Sequence, residues 1–376
     1  MKVLVTGGAG FIGSHTVDGL LAKGYGVRIM DSLEPPVHLK GRPDYIPEEA
    51  EFILGDVRSK ADWQKALKGI EVVFHFAAYQ DYLTDFSKFF DVNSRGTALL
   101  YEVIVEKKLD IKKVIIASSQ AVYGEGKCRC PGDGRVYPDL RNLEQLERGD
   151  WGVKCPECGG KTEMQLTDES RINPQNQYAV SKYSQELTGL NLGKRYKIPT
   201  VCLRYSIVQG PRQSFYNLYS GALRTFSLSV YFKRKPVIYE DGLQLRDYVN
   251  IEDVVRADLL VMEDSRADYQ VYNVGGGKAY TVLELAGMVE KTFRDEVSPE
   301  IRGEFRFGDT RHIVSNISKI KALGWKPMNS VEKSVGDYVA WLKQEEAIQD
   351  LAEFAQKKMK DQGVIKKAKG SLKEGI

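Results

Sequence analysis

The sequence predicts an α/β fold: a Rossmann-type doubly wound parallel sheet, a smaller mixed domain, and a small insert with a metal-type cysteine pattern. Three observations carry this. Short β-branched segments alternate with helical stretches through the first half, a glycine-rich turn follows the first of them, and a stretch rich in Gly, Pro, Cys and charge breaks the rhythm over residues 125–168. A chain of 376 residues, 42% hydrophobic and 28% charged, can bury a large core, and no apolar run reaches the roughly 20 residues that span a bilayer. Its 54 basic and 51 acidic residues leave a net charge of +3, which argues for neither a nucleic-acid nor a membrane surface. The first residues enter a strand at once and leave no room for a cleavable leader, so the expected location is cytoplasmic.

Six strands are expected in order: Lys2–Thr6, Gly26–Asp31, Glu51–Leu54, Val72–Phe76, Lys113–Ser118 and Thr200–Tyr205. The segments between them are long enough for the crossovers that parallel neighbours require. Residues 1–205 are read as one Rossmann domain, interrupted by the insert at 125–168. From Ser206 the rhythm loosens, with helices expected over Ile251–Glu263 and Val282–Phe293. Residues 206–345 are read mainly as a substrate-binding domain, with some segments returning to the Rossmann sheet. The end of the chain, 346–376, is helical and basic, and its Lys357, Lys358, Lys360, Lys366, Lys367, Lys369 and Lys373 read as a solvated tail.

The turn Thr6-Gly7-Gly8-Ala9-Gly10-Phe11-Ile12-Gly13 leads from the first strand into a helical pattern, with Gly7, Gly10 and Gly13 three residues apart. Such a loop lets backbone approach a pyrophosphate while the helix aims free N–H groups at it. A glycine triplet alone is equally a plain turn; the strand before it and the helix after it decide. Asp31 ends the second strand 18 residues beyond Gly13, where a carboxylate accepts hydrogen bonds from an adenosine ribose. Its charge repels a 2′-phosphate and no arginine follows it directly, which favours NAD over NADP. Asp56-Val57 is placed to contact adenine, or Asp56 caps a turn. Phe76-Ala77-Ala78 ends the fourth strand with residues small enough to pass close to a cofactor, or to fill a core.

Tyr178 and Lys182 are four residues apart and so share one helix face. A free tyrosine, with a pKa of about 10, is a poor base at neutral pH, and a cation held nearby favours its phenolate. Ser119, at the end of the fifth strand, can hydrogen-bond the same substrate oxygen.

In combination these residues resemble the extended short-chain dehydrogenase/reductase family, and within it the nucleotide-sugar epimerases of the UDP-galactose 4-epimerase type. The match runs from residue 1 to about 340 and adds Asn93 with Gly96-Thr97, Ser118-Ser119-Gln120-Ala121-Val122-Tyr123-Gly124 and Arg246-Asp247-Tyr248. The resemblance implies that Ser119, Tyr178 and Lys182 are catalytic. It implies an NAD site made of Gly7, Gly10, Phe11, Ile12, Gly13, Asp31, Asp56, Val57, Phe76, Ala77, Ala78 and Asn93, with Tyr178 and Lys182 at its nicotinamide end. It further implies a nucleotide-diphosphate sugar held by Ser119, Gln120, Tyr178, Arg246 and Arg306, the two arginines on the diphosphate, and a homodimer paired through the helix that bears Tyr178.

Family members that dehydrate their sugar resemble one another in an Asp-Glu pair where this chain has Gln120-Ala121, and decarboxylating members tend to carry an acidic residue there too. What the resemblance then implies is inversion at C4 through a transient 4-keto sugar. Where the family usually shows Phe-Asn after Leu203-Arg204-Tyr205, this chain has Ser206-Ile207. With the aromatic-rich Tyr79-Gln80-Asp81-Tyr82, that departure sets a dTDP-deoxysugar such as dTDP-rhamnose beside a UDP-hexose as the expected substrate. A net NAD-dependent dehydrogenase or reductase, and a nucleotide-sensing or scaffold protein on the same fold, are the alternatives.

Cys128-Arg129-Cys130 and Cys155-Pro156-Glu157-Cys158 lie in the insert with 24 residues between them. Two short-spaced thiol pairs match a closed tetrahedral zinc site with Cys128, Cys130, Cys155 and Cys158 as ligands; disulfides, free thiols or a redox role are the alternatives. A zinc held by four protein ligands has no open position for chemistry, so its role would be to shape a lid or a subunit contact.

Overall fold

Seven parallel strands form the central sheet: β1 (Lys2–Thr6), β2 (Gly26–Asp31), β3 (Glu51–Leu54), β4 (Val72–His75), β5 (Lys113–Ser119), β6 (Thr200–Tyr205) and β7 (Val271–Val274). Their spatial order is β7-β6-β5-β4-β1-β2-β3. The computed structural model describes residues 1–81, 84–217, 221–294, 297–346 and 348–369. The first six strands occupy the predicted segments, β4 ending one residue early and β5 running one residue on. The seventh comes from the second half of the chain and lies parallel to β6, Val271 opposite Cys202. Strand order reverses between β1 and β4, so a crevice opens at their carboxyl ends, where such sheets bind ligands.

Alternation along each strand feeds two cores. Val3 and Val5 face helices α1 (Phe11–Ala22) and α4 (Ile251–Glu263), with Val17, Leu20, Val254 and Ala257; Leu4 faces the other side, with Trp63 and with Leu100 and Val103 of α2 (Gly96–Glu106). The helix that bears Tyr178, α3 (Gln177–Tyr196), starts at Asn176, whose side chain accepts from the Ala179 N–H. Its Glu186 pairs with Arg204 of β6 at 2.8 and 2.7 Å and accepts from Ser118 of β5, which fixes the helix against the strand that ends in Ser119.

Asp258 of α4 is fully buried and accepts from Tyr205 Oη at 2.6 Å and Thr16 Oγ1 at 2.9 Å. Burial raises its carboxyl from 3.8 to about 7 against those two hydrogen bonds. Between these values the folded protein holds a proton that the unfolded chain has released, so this contribution to stability is complete at low pH and is lost as pH rises through about 7. The unfolding midpoint is therefore expected to fall less between pH 5 and 8 in Asp258→Asn than in the wild type. Equal slopes would contradict the assignment.

The smaller domain is built on Leu245–Asn250, which pairs with Ile207–Gln209, Ala279–Thr281 and His312–Ile313. Helices Ala222–Tyr231, Val282–Phe293 and Val331–Gln344 pack around Phe226, Leu285 and Val335. A capping box between Thr281 and Glu284 starts the second of them where the sequence placed it.

The insert is a three-stranded antiparallel sheet, Cys128–Cys130 between Gly134–Val136 and Glu163–Met164, with a short helix Leu143–Glu147. It is tied to the smaller domain by buried Arg141, whose guanidinium reaches Glu125 Oε1 at 3.1 Å, both Glu240 oxygens at 3.0 and 2.9 Å, and the Asp309 carbonyl at 2.7 Å.

The end of the chain differs from a solvated tail. Helix Ala352–Asp361 buries Ala355 and Met359, and Ile365–Lys367 pairs antiparallel with Glu304–Arg306. Apolar residues on one face of that helix drive the docking; its Lys360 stays at the rim on Glu304, and Lys369, beyond the strand, pairs with Glu147 of the insert. Lys373 lies outside the described residues. No helix among the described residues is long and apolar enough to cross a membrane.

Candidate active site

A cleft of about 870 Å³ runs from the carboxyl ends of β1 to β5 into the smaller domain and is lined by all the expected NAD-binding, catalytic and sugar-nucleotide residues except Asn93. At the sheet end the glycines explain themselves. Gly7 has φ +67°, and a Cβ there would meet the Ala77 amide nitrogen at 2.8 Å; a Cβ on Gly13 would lie 2.2 Å from the Gly7 carbonyl oxygen. The loop can fold this tightly only without side chains, which leaves a cradle of backbone at the start of α1. Asp31 Oδ2 accepts from the Ala9 N–H at 3.0 Å and Oδ1 from the Leu33 N–H at 2.9 Å, so the carboxylate both fixes the loop and faces the cleft. The Asp56 carboxylate is held by Arg58 Nε at 3.0 and 2.9 Å, and Arg58 also pairs with Glu34. Phe76, Ala77 and Ala78 line the cleft beside Gly7.

Asn93 stands elsewhere. It is fully buried, with Oδ1 accepting from the Tyr79 N–H at 2.8 Å and Nδ2 donating to the Tyr79 carbonyl at 3.0 Å and to Ser181 Oγ at 2.9 Å. It braces the strand-end loop against α3 and is not among the residues that line the cleft.

Ser119, Gln120, Tyr178 and Lys182 line the same cleft, at the end of β5 and the start of α3. Ser119 Oγ accepts from the Ala121 N–H at 3.1 Å, which leaves its proton for a ligand oxygen. Lys182 is 1% exposed and donates to Gln185 Oε1; burial lowers its ammonium to about 8, with Glu186 opposing the shift. The ammonium therefore persists at neutral pH as a cation in low dielectric, where its field acts most strongly. Gln120 is 7% exposed and its Oε1 has no hydrogen-bond partner among the described residues, an acceptor left for a ligand hydroxyl.

Ser206 and Ile207 both line the cleft, but the Ser206 hydroxyl is taken up by protein groups and Ile207 stands where the family usually carries asparagine. Ser206 Oγ donates to Asp247 Oδ2 at 2.7 Å and meets Ser315 Oγ at 2.8 Å. Tyr79, Gln80 and Asp81 also line it; Tyr82 lies outside the described residues. Arg246 is laid along the carbonyls of Arg311 and Thr310 at 2.9 and 2.7 Å, and Arg306 is held by Asp309 at 2.8 Å, both at the cleft.

The cysteines only partly follow expectation. Cys130, Cys155 and Cys158 converge with Asp133, their ligand atoms all within 4.8 Å of one another, and Cys128 is not among them. Cys128 and Cys130 lie on a strand, two residues and roughly 6.6 Å apart along it, whereas thiolates sharing a zinc at about 2.3 Å sit closer than that. The Cys128 thiol turns toward the Glu125 carbonyl at 4.0 Å, and the turn after Cys130 brings Asp133 round in its place. The spacing was visible: Cys130-x-x-Asp133 repeats that of Cys155-x-x-Cys158. Also missed were His38, whose Nε2 lies 3.8 Å from Asp31, and the buried Arg224.

A doubly wound sheet with a glycine cradle at its switch point, and a Tyr/Lys pair in the same cleft, define a dinucleotide-dependent enzyme of the short-chain dehydrogenase/reductase type. The chain belongs to the NAD dependent epimerase/dehydratase family, whose model matches residues 3–141 and 155–275. It is 33% identical over 352 residues to a dTDP-L-rhamnose 4-epimerase of Burkholderia thailandensis, covering 92% of this chain and 95% of that protein. Among solved structures it is similar to a UDP-glucose 4-epimerase of Thermotoga maritima with UDP-glucose, at 29% identity and TM-score 0.76, covering 92% of this chain and 99% of that one. A UDP-glucuronic acid 4-epimerase of Bacillus cereus, in complex with UDP-glucuronic acid and NAD, matches at 26% identity and TM-score 0.75, with the same coverage.

Proposed function

We propose that this protein is an NAD-dependent epimerase that inverts C4 of a nucleotide-activated sugar. The observation that carries the reading is the placing of Ser119, Gln120, Tyr178 and Lys182 in one cleft between a dinucleotide cradle and a second, arginine-bearing end. Gly7 and Gly13 shape the cradle, Asp31 would hold the adenosine ribose, and Asp31 and Glu34 together disfavour a 2′-phosphate. Bound NAD supplies the acceptor for a hydride from C4 and the donor that returns it.

The chain's own groups do the rest. Tyr178 takes the C4 hydroxyl proton as base; Ser119 donates to the same oxygen; Lys182 steadies the phenolate by its charge. On the return, Tyr178 gives the proton back. Gln120, an amide, can orient a hydroxyl but cannot supply the acid that loss of water requires. The Burkholderia relative supports dTDP-rhamnose as a substrate and the Thermotoga structure UDP-glucose. Ile207, standing where a polar contact is usual, favours the deoxysugar.

Screening dTDP-, UDP-, GDP- and CDP-sugars by NMR should show a change at C4 with no net NADH. Stoichiometric NADH release would replace the reading with a net dehydrogenase, and nucleotide binding without turnover would replace it with a sensor.

We also propose a structural zinc in the insert, held by Cys130, Asp133, Cys155 and Cys158 as a closed four-ligand site. A homodimer is proposed through α3, whose Val180 and Leu187 are 39% and 44% exposed; a monomeric mass in solution would refute it. None of the five cysteines is disulfide-bonded, which fits a reducing, cytoplasmic setting.

A further inference from the structure

Arg224 stands in the first turn of helix Ala222–Tyr231, 1% exposed, and lines the cleft. Its Nε and Nη2 have no hydrogen-bond partner among the described residues, and Nη1 reaches only the Ser214 carbonyl, at 3.4 Å. A buried guanidinium left in this state is costly, and its five donors suit an anion with several oxygens. The chain folds it back to the helix start: its Cζ lies 3.6 Å from where a Cβ on Gly221 would be. Gly221, at φ +88°, provides no side-chain cap, and among the described residues no side chain caps the first-turn N–H groups of this helix. An unpaired cation and the positive end of a helix thus meet at one point of the cleft.

We propose that Arg224, with the first turn of its own helix, binds a phosphate of the nucleotide sugar's diphosphate, a third arginine contact beside Arg246 and Arg306. This rests on the nucleotide-sugar reading and assigns a ligand group to a residue that no sequence motif marks. Arg246 and Arg306 are already held by protein oxygens, so Arg224 offers the donors that gain most from an arriving phosphate.

Calorimetric titration of the full-length protein with UDP and dTDP, and with uridine and thymidine, tests it. Arg224→Met is expected to weaken nucleoside diphosphate binding about 10- to 100-fold and to leave nucleoside binding unchanged, with Arg224→Lys between. The ligand-free unfolding midpoint of Arg224→Met should be no lower than that of the wild type, because no strong partner is lost. Nucleoside diphosphate affinity within about twofold of wild type would overturn the proposal, and so would an equal loss for the nucleosides, which would place Arg224 on the base. A lowered midpoint with unchanged affinity would mark a structural residue and overturn it as well. If the wild type binds neither UDP, dTDP, GDP nor CDP, the nucleotide-sugar reading itself falls.

Discussion

Tyr178→Phe is expected to lower kcat by about 100- to 10,000-fold while KM and the unfolding midpoint stay close to wild type. The ring keeps its place at the start of α3, so helix and cleft persist; only the proton acceptor is gone. Lys182→Met should lose a comparable factor by a different route, since it removes the charge that favours the phenolate. Because both act on one proton transfer, the double variant should lose far less than the product of the two. Single-turnover measurement of hydride transfer, by the transient absorbance of reduced cofactor, checks this against product release. A Tyr178→Phe variant within tenfold of wild type in that assay would remove Tyr178 from the base role.

The second large effect is expected in the insert. Asp133→Ala, Cys130→Ser and Cys155→Ser should each abolish retention of zinc through dialysis, whereas Cys128→Ser should keep it, because the strand holds that thiol out of the cluster. Metal analysis of the purified variants decides. Loss of zinc in Cys128→Ser would restore a four-cysteine site, and a wild type without metal would leave a cluster of thiols hydrogen-bonded to Asp133. The effect should carry beyond the insert: Arg141 joins it to Glu240 and to the carbonyl of Asp309, the residue that holds Arg306. Zinc-free protein is therefore expected to show a raised KM for the nucleotide sugar with its NAD affinity unchanged.

The Rossmann half was legible because its elements obey one-dimensional rules: strands alternate between two buried faces, and Gly13 is demanded by a contact with Gly7 only six residues away, although Gly7 itself is demanded by the distant Ala77. Tyr178 and Lys182 were legible for the same reason, as neighbours on one helix face. Residues whose meaning depends on distant partners were not. Asn93 has a motif position that suggests the cofactor, while its bracing of Tyr79 against Ser181 is a role no local pattern shows. Ile365–Lys367 has no strand pattern of its own and becomes a strand only because Glu304–Arg306 presents an edge. Asp133 was overlooked because thiols were weighed and a carboxylate at matching spacing was not. Arg224 reads as one charge in an apolar helix, and only burial without a partner singles it out.

The pairing of Ile365–Lys367 with Glu304–Arg306 has a consequence for synthesis. The segment that carries Arg306 receives its second strand, and through Lys369 a contact with the insert, from residues translated well after it. A nascent chain therefore completes the dinucleotide cradle long before the nucleotide-sugar end, and the order in which the two ligands first find their places is written into the direction of translation.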